Sequence, residues 1–320
     1  MPSMISILAA LMFFAVPPFL PAAGQPEQPD AAKSAAESVA GPAAHAEHGI
    51  PQKAQALGHQ EGFVTNSMLV TWLVTLGLIL FARIATRRMQ DVPTGAQNFW
   101  EWLVEGLYDF LEGIIGHDLV KKTFWFFATI FIFILFTNWF GLIPGVGTVG
   151  WGMQGKHGFE VTRPLLRGGN ADLNMTFAMA AIFMVLWLVW AVGFNGFWGF
   201  TLHIFGPKGD NTGFLKYMMI VVFFCVGFLE VVSIGFRPIS LSFRLYGNIF
   251  AGENLLESLA KTIQHPAWAK AVFSALLPVP FYLLELLIGL VQAFVFMLLT
   301  TVFTALICTH DEPETANAHH

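Results

Sequence analysis

Several stretches of this 320-residue chain carry no charged side chain over a length that crosses a lipid bilayer. They occupy residues 62–82, 123–143 and 173–198. At about 1.5 Å per residue, a helix of about 20 residues spans a hydrocarbon core of about 30 Å. Each stretch therefore predicts a membrane-spanning helix, in agreement with a composition that is 55% hydrophobic and only 12% charged.

Two further apolar segments are about twice as long as one span. Residues 217–260 and 271–309 would form unbroken helices of about 58 to 66 Å. Either each segment contains two short spans, or the two form a strongly tilted hairpin with its turn at residues 264–266. The hairpin gives an all-α polytopic membrane protein with about five membrane helices.

Residues 98–116 form a different pattern, because apolar residues recur there at helical spacing against four acidic ones. The acidic residues are Glu101, Glu105, Asp109 and Glu112. The pattern predicts an interfacial amphipathic helix. Since acidic groups are not attracted to anionic lipid, packing of this helix on a neighbouring protein is an alternative.

The two ends of the chain differ from its centre. Residues 1–24 resemble a secretory signal peptide, although they lack a basic residue before the apolar stretch and carry Pro17, Pro18 and Pro21; a retained anchor helix is the alternative. Residues 25–60 contain little to bury and predict a disordered extracytoplasmic arm. Residues 61–310 then form the membrane domain, and residues 311–320 a polar tail.

Basic residues set the predicted orientation. Arg83, Arg87 and Arg88 directly follow the first span, and the positive-inside rule places them in the cytoplasm. The N-terminus is then extracytoplasmic, and five spans leave the C-terminus in the cytoplasm. No face rich in Lys and Arg is available to neutralise phosphates, so a nucleic-acid partner is excluded.

Ionisable residues interrupt the last two apolar segments, where each costs at least a few kcal/mol and marks a candidate functional site. They are Glu230, Arg237, Arg244, Glu253, Glu257 and Glu285, accompanied by Asn248 and Gln292. Arg237 and Glu257 lie nearer helix ends and are expected at the interface. A structural salt bridge of Arg244 with one glutamate is the simplest interpretation, but the carboxylates outnumber the arginines, as a proton path requires.

Helical phase separates these residues. Arg244 and Asn248 lie one turn apart on one face, whereas Glu253 is rotated by about 180° from Arg244. Glu285 and Gln292 share a face of the last helix. An offset between the two helices of the hairpin would bring Glu253 and Glu285 together.

The residues themselves resemble a known family. The run from Leu229, LEVVSIGFRPISLSFRLYGNIFAGENLLESL, and the run from Leu283, LLELLIGLVQAFVFMLLTTVFTALI, closely resemble subunit a of the F-type ATP synthase. The stretch ADLNMTFAMA from Ala171 is similar to the start of that family's third span. The resemblance covers about residues 60 to 310.

The resemblance implies a role for each site residue. Arg244 matches the essential arginine that divides two offset half-channels, and Gln292 matches a glutamine beside it. Asn248 and Glu253 fall at the family's matching steps after that arginine, and both Asn248 and Gln292 are implied to belong to the proton pathway. Glu253 and Glu285 fall on the path of proton uptake, and Glu230 on the cytoplasmic side. The resemblance implies that this chain lies against a rotating c-ring in a bacterial inner membrane, with b-type peripheral stalk subunits as further partners. It implies no cofactor, no metal and no catalysis by this chain itself.

Two other classes of function stay open at this point. A proton-coupled transporter acting alone would need a cavity between repeats, and no internal repeat is evident. A membrane-embedded hydrolase could use His203, His265 and Glu285 as metal ligands, but no paired-ligand spacing supports it. No glycine-rich phosphate loop is present. Whether the transported ion is a proton or sodium is not decided by these residues.

Overall fold

The computed structural model describes residues 64–147, 149–155, 158–206, 214–261 and 276–308. The predicted signal peptide (1–24), arm (25–60) and polar tail (311–320) lie outside these residues, as does the predicted turn at residues 264–266.

Among the residues that the structure describes, five helices are long and apolar enough to cross a membrane. They are α1 (Asn66–Thr86), α3 (His117–Gly141), α4 (Leu173–Phe205), α5 (Phe214–Lys261) and α6 (Pro278–Cys308). The prediction of an all-α polytopic membrane protein with about five membrane helices is confirmed. α5 is one continuous helix that contains Pro238, so the alternative of two short spans in this segment is wrong.

A sixth helix, α2 (Ala96–Ile115), is amphipathic as the sequence predicts. Its buried face includes Trp100, Leu107 and Leu111, and it packs against α1, α3 and α6. Glu105 and Asp109 lie on the exposed side. Gly116 joins α2 to α3 with a φ of 77°, a conformation that residues with a Cβ rarely adopt.

The connection between α3 and α4 contains strands that the sequence did not predict. They are β1 (Pro144–Gly147), β2 (Gly150–Gly155) and β3 (Gly158–Pro164). β2 and β3 pair antiparallel, with Gly150 opposite Pro164. A short 3₁₀ helix, Gly169–Ala171, follows and leads the chain into α4.

The helices differ greatly in how much of their surface the chain covers. In the most apolar stretch of α3, 72% of the residues are buried within the chain, against 6% in the corresponding stretch of α5. Aromatic side chains such as Phe126, Phe133 and Phe183 fill the core around α3. α3 is therefore the central helix, and α5 is a peripheral one with a large apolar face left uncovered.

Candidate functional site

A buried ion pair joins the loop before α4 to the second half of α5. The Nε atom of Arg167 lies 3.6 Å from Oε2 of Glu253. The two side chains are only 4% and 16% exposed, so the pair is shielded from solvent. Both residues lie where five chain segments meet: the start of α1, the end of α3, the loop before α4, the second half of α5 and the start of α6.

Glu285 of α6 lies at the same place. Glu253 and Glu285 both line a cavity of about 20 Å³, together with Thr137, Asn138 and Asn170. A cavity of this size accommodates about one water molecule. Glu285 is 6% exposed. The two glutamates therefore lie together, the arrangement that the sequence allowed if the two helices are offset.

Glycines allow the helices to approach closely enough to form this cluster. A Cβ atom at Gly252 would overlap the carboxyl group of Glu285. A Cβ atom at Gly168 would lie 3.0 Å from Oε1 of Glu253, and one at Gly289 would lie 3.1 Å from Cβ of Asn138. Small residues at such contacts are the usual means of close helix packing in membranes.

Buried amides connect α3, α6 and the loop. Asn138 Nδ2 donates to the carbonyl oxygen of Gly289 at 3.0 Å, and Asn170 Nδ2 donates to Asn138 Oδ1 at 2.7 Å. Both amides are less than 5% exposed. Their hydrogen bonds hold α6 against α3 and fix the height of the loop beside the cavity.

Polar groups continue from this cluster toward the start of α1. Asp172 caps α4 by accepting from the backbone nitrogen of Asn174, and its other carboxylate oxygen accepts from Ser67 Oγ at 2.8 Å. Ser67 and Thr71 are each 1% exposed, and Thr71 lies directly against Gly169. A row of buried polar side chains therefore runs from the start of α1 to Glu253 and Glu285.

Arg244 has a different environment from Glu253, although both belong to α5. Its side chain is exposed, and among the residues that the structure describes it makes no ion pair or hydrogen bond. The interpretation of Arg244 as half of a structural salt bridge within this chain is therefore not supported, since Glu253 pairs with Arg167 instead. Arg244 and Glu253 lie on opposite faces, as helical phase predicts.

Asn248 and Gln292 link α5 to α6 one turn from Arg244. Asn248 Nδ2 donates to Gln292 Oε1 at 2.7 Å, and Gln292 is 5% exposed. The hydrogen bond joins residues 44 positions apart in the sequence. These two residues therefore lie between the exposed Arg244 side and the buried glutamate cluster.

Glu230 lies in the opposite half of α5 and is half-buried. Arg237, two helical turns further on, is within electrostatic range of it. The Arg237 guanidinium lies 4.4 Å from the ring centre of Phe303 and 5.6 Å from that of Trp187. Arg237 is thus held among aromatic rings of α4 and α6, whereas the sequence placed it at an interface.

The structure separates the six predicted site residues into three places. Glu253 and Glu285 share the cavity, Asn248 and Gln292 share a hydrogen bond beside Arg244, and Glu230 lies apart. Sequence reasoning did not single out Arg167, Asn138, Asn170, Asp172 or Ser67. The available signal was a loop arginine five residues before a helix-capping aspartate, together with an asparagine inside the second span.

Metal ligation finds no support among the described residues, which contain no group of three or more His, Cys, Asp or Glu side chains that could hold an ion. Of the three ligands considered for a hydrolase, His265 lies outside the described residues. The donors present in the cavity are two carboxyls, two amides and a hydroxyl. Carboxyl groups can take up and release protons, and the amides and the hydroxyl can form hydrogen bonds to them.

Comparison with known proteins agrees on one family. Residues 68–305 match the family described as ATP synthase A chain. A protein of Gloeobacter violaceus named ATP synthase subunit a is 31% identical over 238 residues, which cover 74% of this chain and 81% of that protein. A protein of the same name from Desulfotalea psychrophila is 32% identical over 241 residues, covering 74% of this chain and 82% of the relative.

One relative carries a statement about its ion. The protein of Propionigenium modestum named ATP synthase subunit a, sodium ion specific, is 30% identical over 264 residues. The match covers 82% of this chain and 81% of that relative. Relatives at about this level of identity therefore include one that is named as specific for sodium, so family membership does not fix the transported ion.

Proposed function

This chain belongs to the ATP synthase A chain family, and from that membership we propose that it conducts protons through two offset half-channels against a rotating c-ring. It is a multi-pass membrane subunit of the F-type ATP synthase and takes part in ion transport. The observation that carries the proposal is the division of α5 into two faces. One bears the exposed Arg244, and the other bears Glu253 in a buried polar cluster.

The uptake half-channel follows the row of buried polar side chains. It begins at Ser67 and Asp172, passes Asn170 and ends at the cavity of Glu253 and Glu285. Such groups lower the cost of moving a charge below the membrane surface, since each can hydrogen-bond to water or to the proton carrier. By the predicted orientation, this end of the bundle faces the extracytoplasmic side.

Arg244 separates the two half-channels. Its charge faces away from the chain's own carboxylates, toward the surface of α5 that the chain leaves uncovered. A c-ring with one carboxylate per subunit would occupy that surface, and Arg244 would stabilise each arriving carboxylate in its deprotonated form. A guanidinium suits this role better than an amine, because it does not lose its proton when it is desolvated.

Protons leave on the side of Glu230. This carboxyl lies in the first half of α5, which begins on the cytoplasmic side in the predicted orientation. Asn248 and Gln292 lie between the two regions and hold α5 and α6 in register beside Arg244. The two half-channels therefore do not meet within the chain, which prevents a proton from crossing without turning the ring.

The chain carries no phosphate chemistry of its own in this proposal. ATP is handled by partner subunits, and b-type peripheral stalk subunits hold this chain against the turning ring. The complex lies in a bacterial inner membrane, with the N-terminus of this chain outside and its C-terminus in the cytoplasm. Residues 1–24 act as a signal peptide.

The experiment is ATP-driven acidification of inverted membrane vesicles that contain the complex, with native chain or with Arg244→Ala. We expect the substitution to reduce acidification to background while the complex stays assembled. A leak at this point dissipates about 2.3 kcal/mol per charge for each 100 mV of membrane potential. Normal coupled pumping by Arg244→Ala would remove Arg244 from the divider role.

The same vesicles decide between proton and sodium. Acidification that is unchanged when sodium is added or withdrawn supports proton transport. Acidification that sodium suppresses, with sodium uptake in its place, would show that this chain works with the ion named for its Propionigenium modestum relative. Arg88 is an exposed arginine outside the membrane helices, and Arg88→Gln is the matched control for Arg244→Ala.

A further inference from the structure

The uptake cavity contains two carboxyl groups but they do not have equivalent surroundings. Glu253 forms a buried ion pair with Arg167, which the loop before α4 contributes. Glu285 lines the same cavity from α6, and no Lys, Arg or His side chain of the described residues forms an ion pair with it. Of the two carboxyl groups, only that of Glu253 therefore has a cation, Arg167, beside it.

The loop is shaped around Glu253. Gly168, next to Arg167, has its Cα so close to the Glu253 carboxylate that an added Cβ would lie 3.0 Å from Oε1. Asn170 anchors the same loop to Asn138 at 2.7 Å. A buried ion pair that loses one of its charges leaves the other uncompensated, which is strongly destabilising, so protonation of Glu253 would leave the Arg167 charge without this partner.

The other groups around the cavity do not change this balance. Thr137, Asn138 and Asn170 are neutral, and Gly252 packs against Glu285 without a side chain. Asp172 is engaged elsewhere, since its two carboxylate oxygens accept from Ser67 and from the backbone of Asn174. Glu285 is thus the acid of the cavity that no cation in the described part of the chain compensates.

We propose that Arg167 is a positioning residue that keeps Glu253 ionised, so that Glu285 alone carries the transferred proton through the uptake cavity. Glu253 and Arg167 act together as a fixed, neutral pair that shapes the cavity. The proton binds to a Glu285 carboxylate oxygen and leaves from the same group, without any other bond forming or breaking. This inference rests on the proposed function and assigns separate roles to its two glutamates.

The test is reciprocal rescue, measured as ATP-driven acidification per assembled complex. Arg167→Gln and Glu253→Gln should each reduce the initial rate by at least about tenfold, because each leaves one buried charge uncompensated beside the cavity. The double variant Arg167→Gln/Glu253→Gln should recover to within about threefold of the native rate, since the two changes cancel. Arg167→Lys, which keeps the charge, should retain most of the activity.

Glu285 provides the contrast. Glu285→Gln should stay inactive when Arg167→Gln is added, because the proton carrier itself is missing. A double variant Arg167→Gln/Glu253→Gln as inactive as Glu253→Gln would overturn the inference and make Glu253 a proton carrier. If the single variants do not assemble, the inference is still tested by Arg167→Lys and by the double variant Arg167→Gln/Glu253→Gln. Both leave no uncompensated charge beside the cavity, and the inference expects both to pump.

The same vesicles separate failure of this inference from failure of the proposed function. If Arg244→Ala and Glu285→Gln both pump normally, the proposed function is wrong. If both are inactive and the charge-balanced double variant is also inactive, only the division of roles is wrong. Arg88→Gln removes one positive charge at an exposed position and should leave the rate unchanged.

Discussion

Arg244 and Glu253 are only nine residues apart on α5, but they lie on opposite faces with very different surroundings. Glu253 is 16% exposed and pairs with Arg167, whereas Arg244 is exposed and makes no ion pair or hydrogen bond with any described residue. Around Glu253 the chain provides a cation, amides and glycines that fit closely. Around Arg244 it provides a surface of large apolar side chains such as Phe236 and Phe243.

Among the described residues, the Glu253 charge has a partner within the chain and the Arg244 charge does not. A buried carboxylate needs a compensating partner within the fold, because an isolated charge at that depth is costly. An arginine on the membrane surface of a peripheral helix is equally costly unless a partner from another chain covers it. Under the proposed function, the counter-ion of Arg244 comes from another subunit of the complex.

The largest expected effect concerns the buried face. Replacing both cavity carboxyls, as in Glu253→Gln/Glu285→Gln, should lower ATP-driven acidification by about a hundredfold or more, since positioned acid–base groups contribute factors of this size. The rate of acidification per assembled complex is the measurement. An undiminished rate in this variant would exclude the cavity from the ion pathway and would break the comparison of the two faces.

A smaller effect is expected where α5 and α6 pack against each other. Gly252→Ala places a methyl group into the Glu285 carboxyl and should lower the free energy of unfolding by about 1 to 3 kcal/mol, as overpacked sites do. Thermal unfolding of the detergent-solubilised chain is the measurement. Gly77→Ala in α1, where an added Cβ meets nothing within 4 Å, is the matched control and should not be destabilised.

The smallest effect is expected at the exposed face. Arg244→Ala should change the unfolding free energy of the isolated chain in detergent by less than about 0.5 kcal/mol, because outside the bilayer the exposed Arg244 side chain loses no ion pair or hydrogen bond with a described residue. The same thermal measurement applies. A large destabilisation would show that Arg244 supports the fold of this chain, and its loss of pumping would then have a structural explanation.

The length of uncharged stretches and helical periodicity predicted much of the fold. The uncharged stretches gave the positions of α1, α3 and α4, and the spacing of acidic residues gave α2. The boundaries moved by several residues: the first span was expected at residues 62–82 and the helix is described over Asn66–Thr86. α4 also extends past residue 198, but Gly196, with a φ of 70°, interrupts the helix at a kink, so a second helical segment follows the predicted span.

The β-strands before α4 and the role of Arg167 were not accessible from the sequence. Glycine-rich segments such as residues 144–158 carry no alternation of apolar and polar residues, so no strand period is present to detect. Arg167 lies in the connection between the second and third uncharged stretches of the sequence, where a charge ordinarily faces water. Its burial depends on Gly168 and Asn170 folding the loop back into the bundle.

The sequence by itself determined the number of spans and the opposite directions of Arg244 and Glu253, because both follow from the geometry of one helix. Only the tertiary structure decided that Glu253 pairs with Arg167 and shares a cavity with Glu285, and that Asn248 bonds to Gln292. These contacts depend on the offset between neighbouring helices. That offset is set by how side chains and glycines fit across an interface, and no local pattern encodes it.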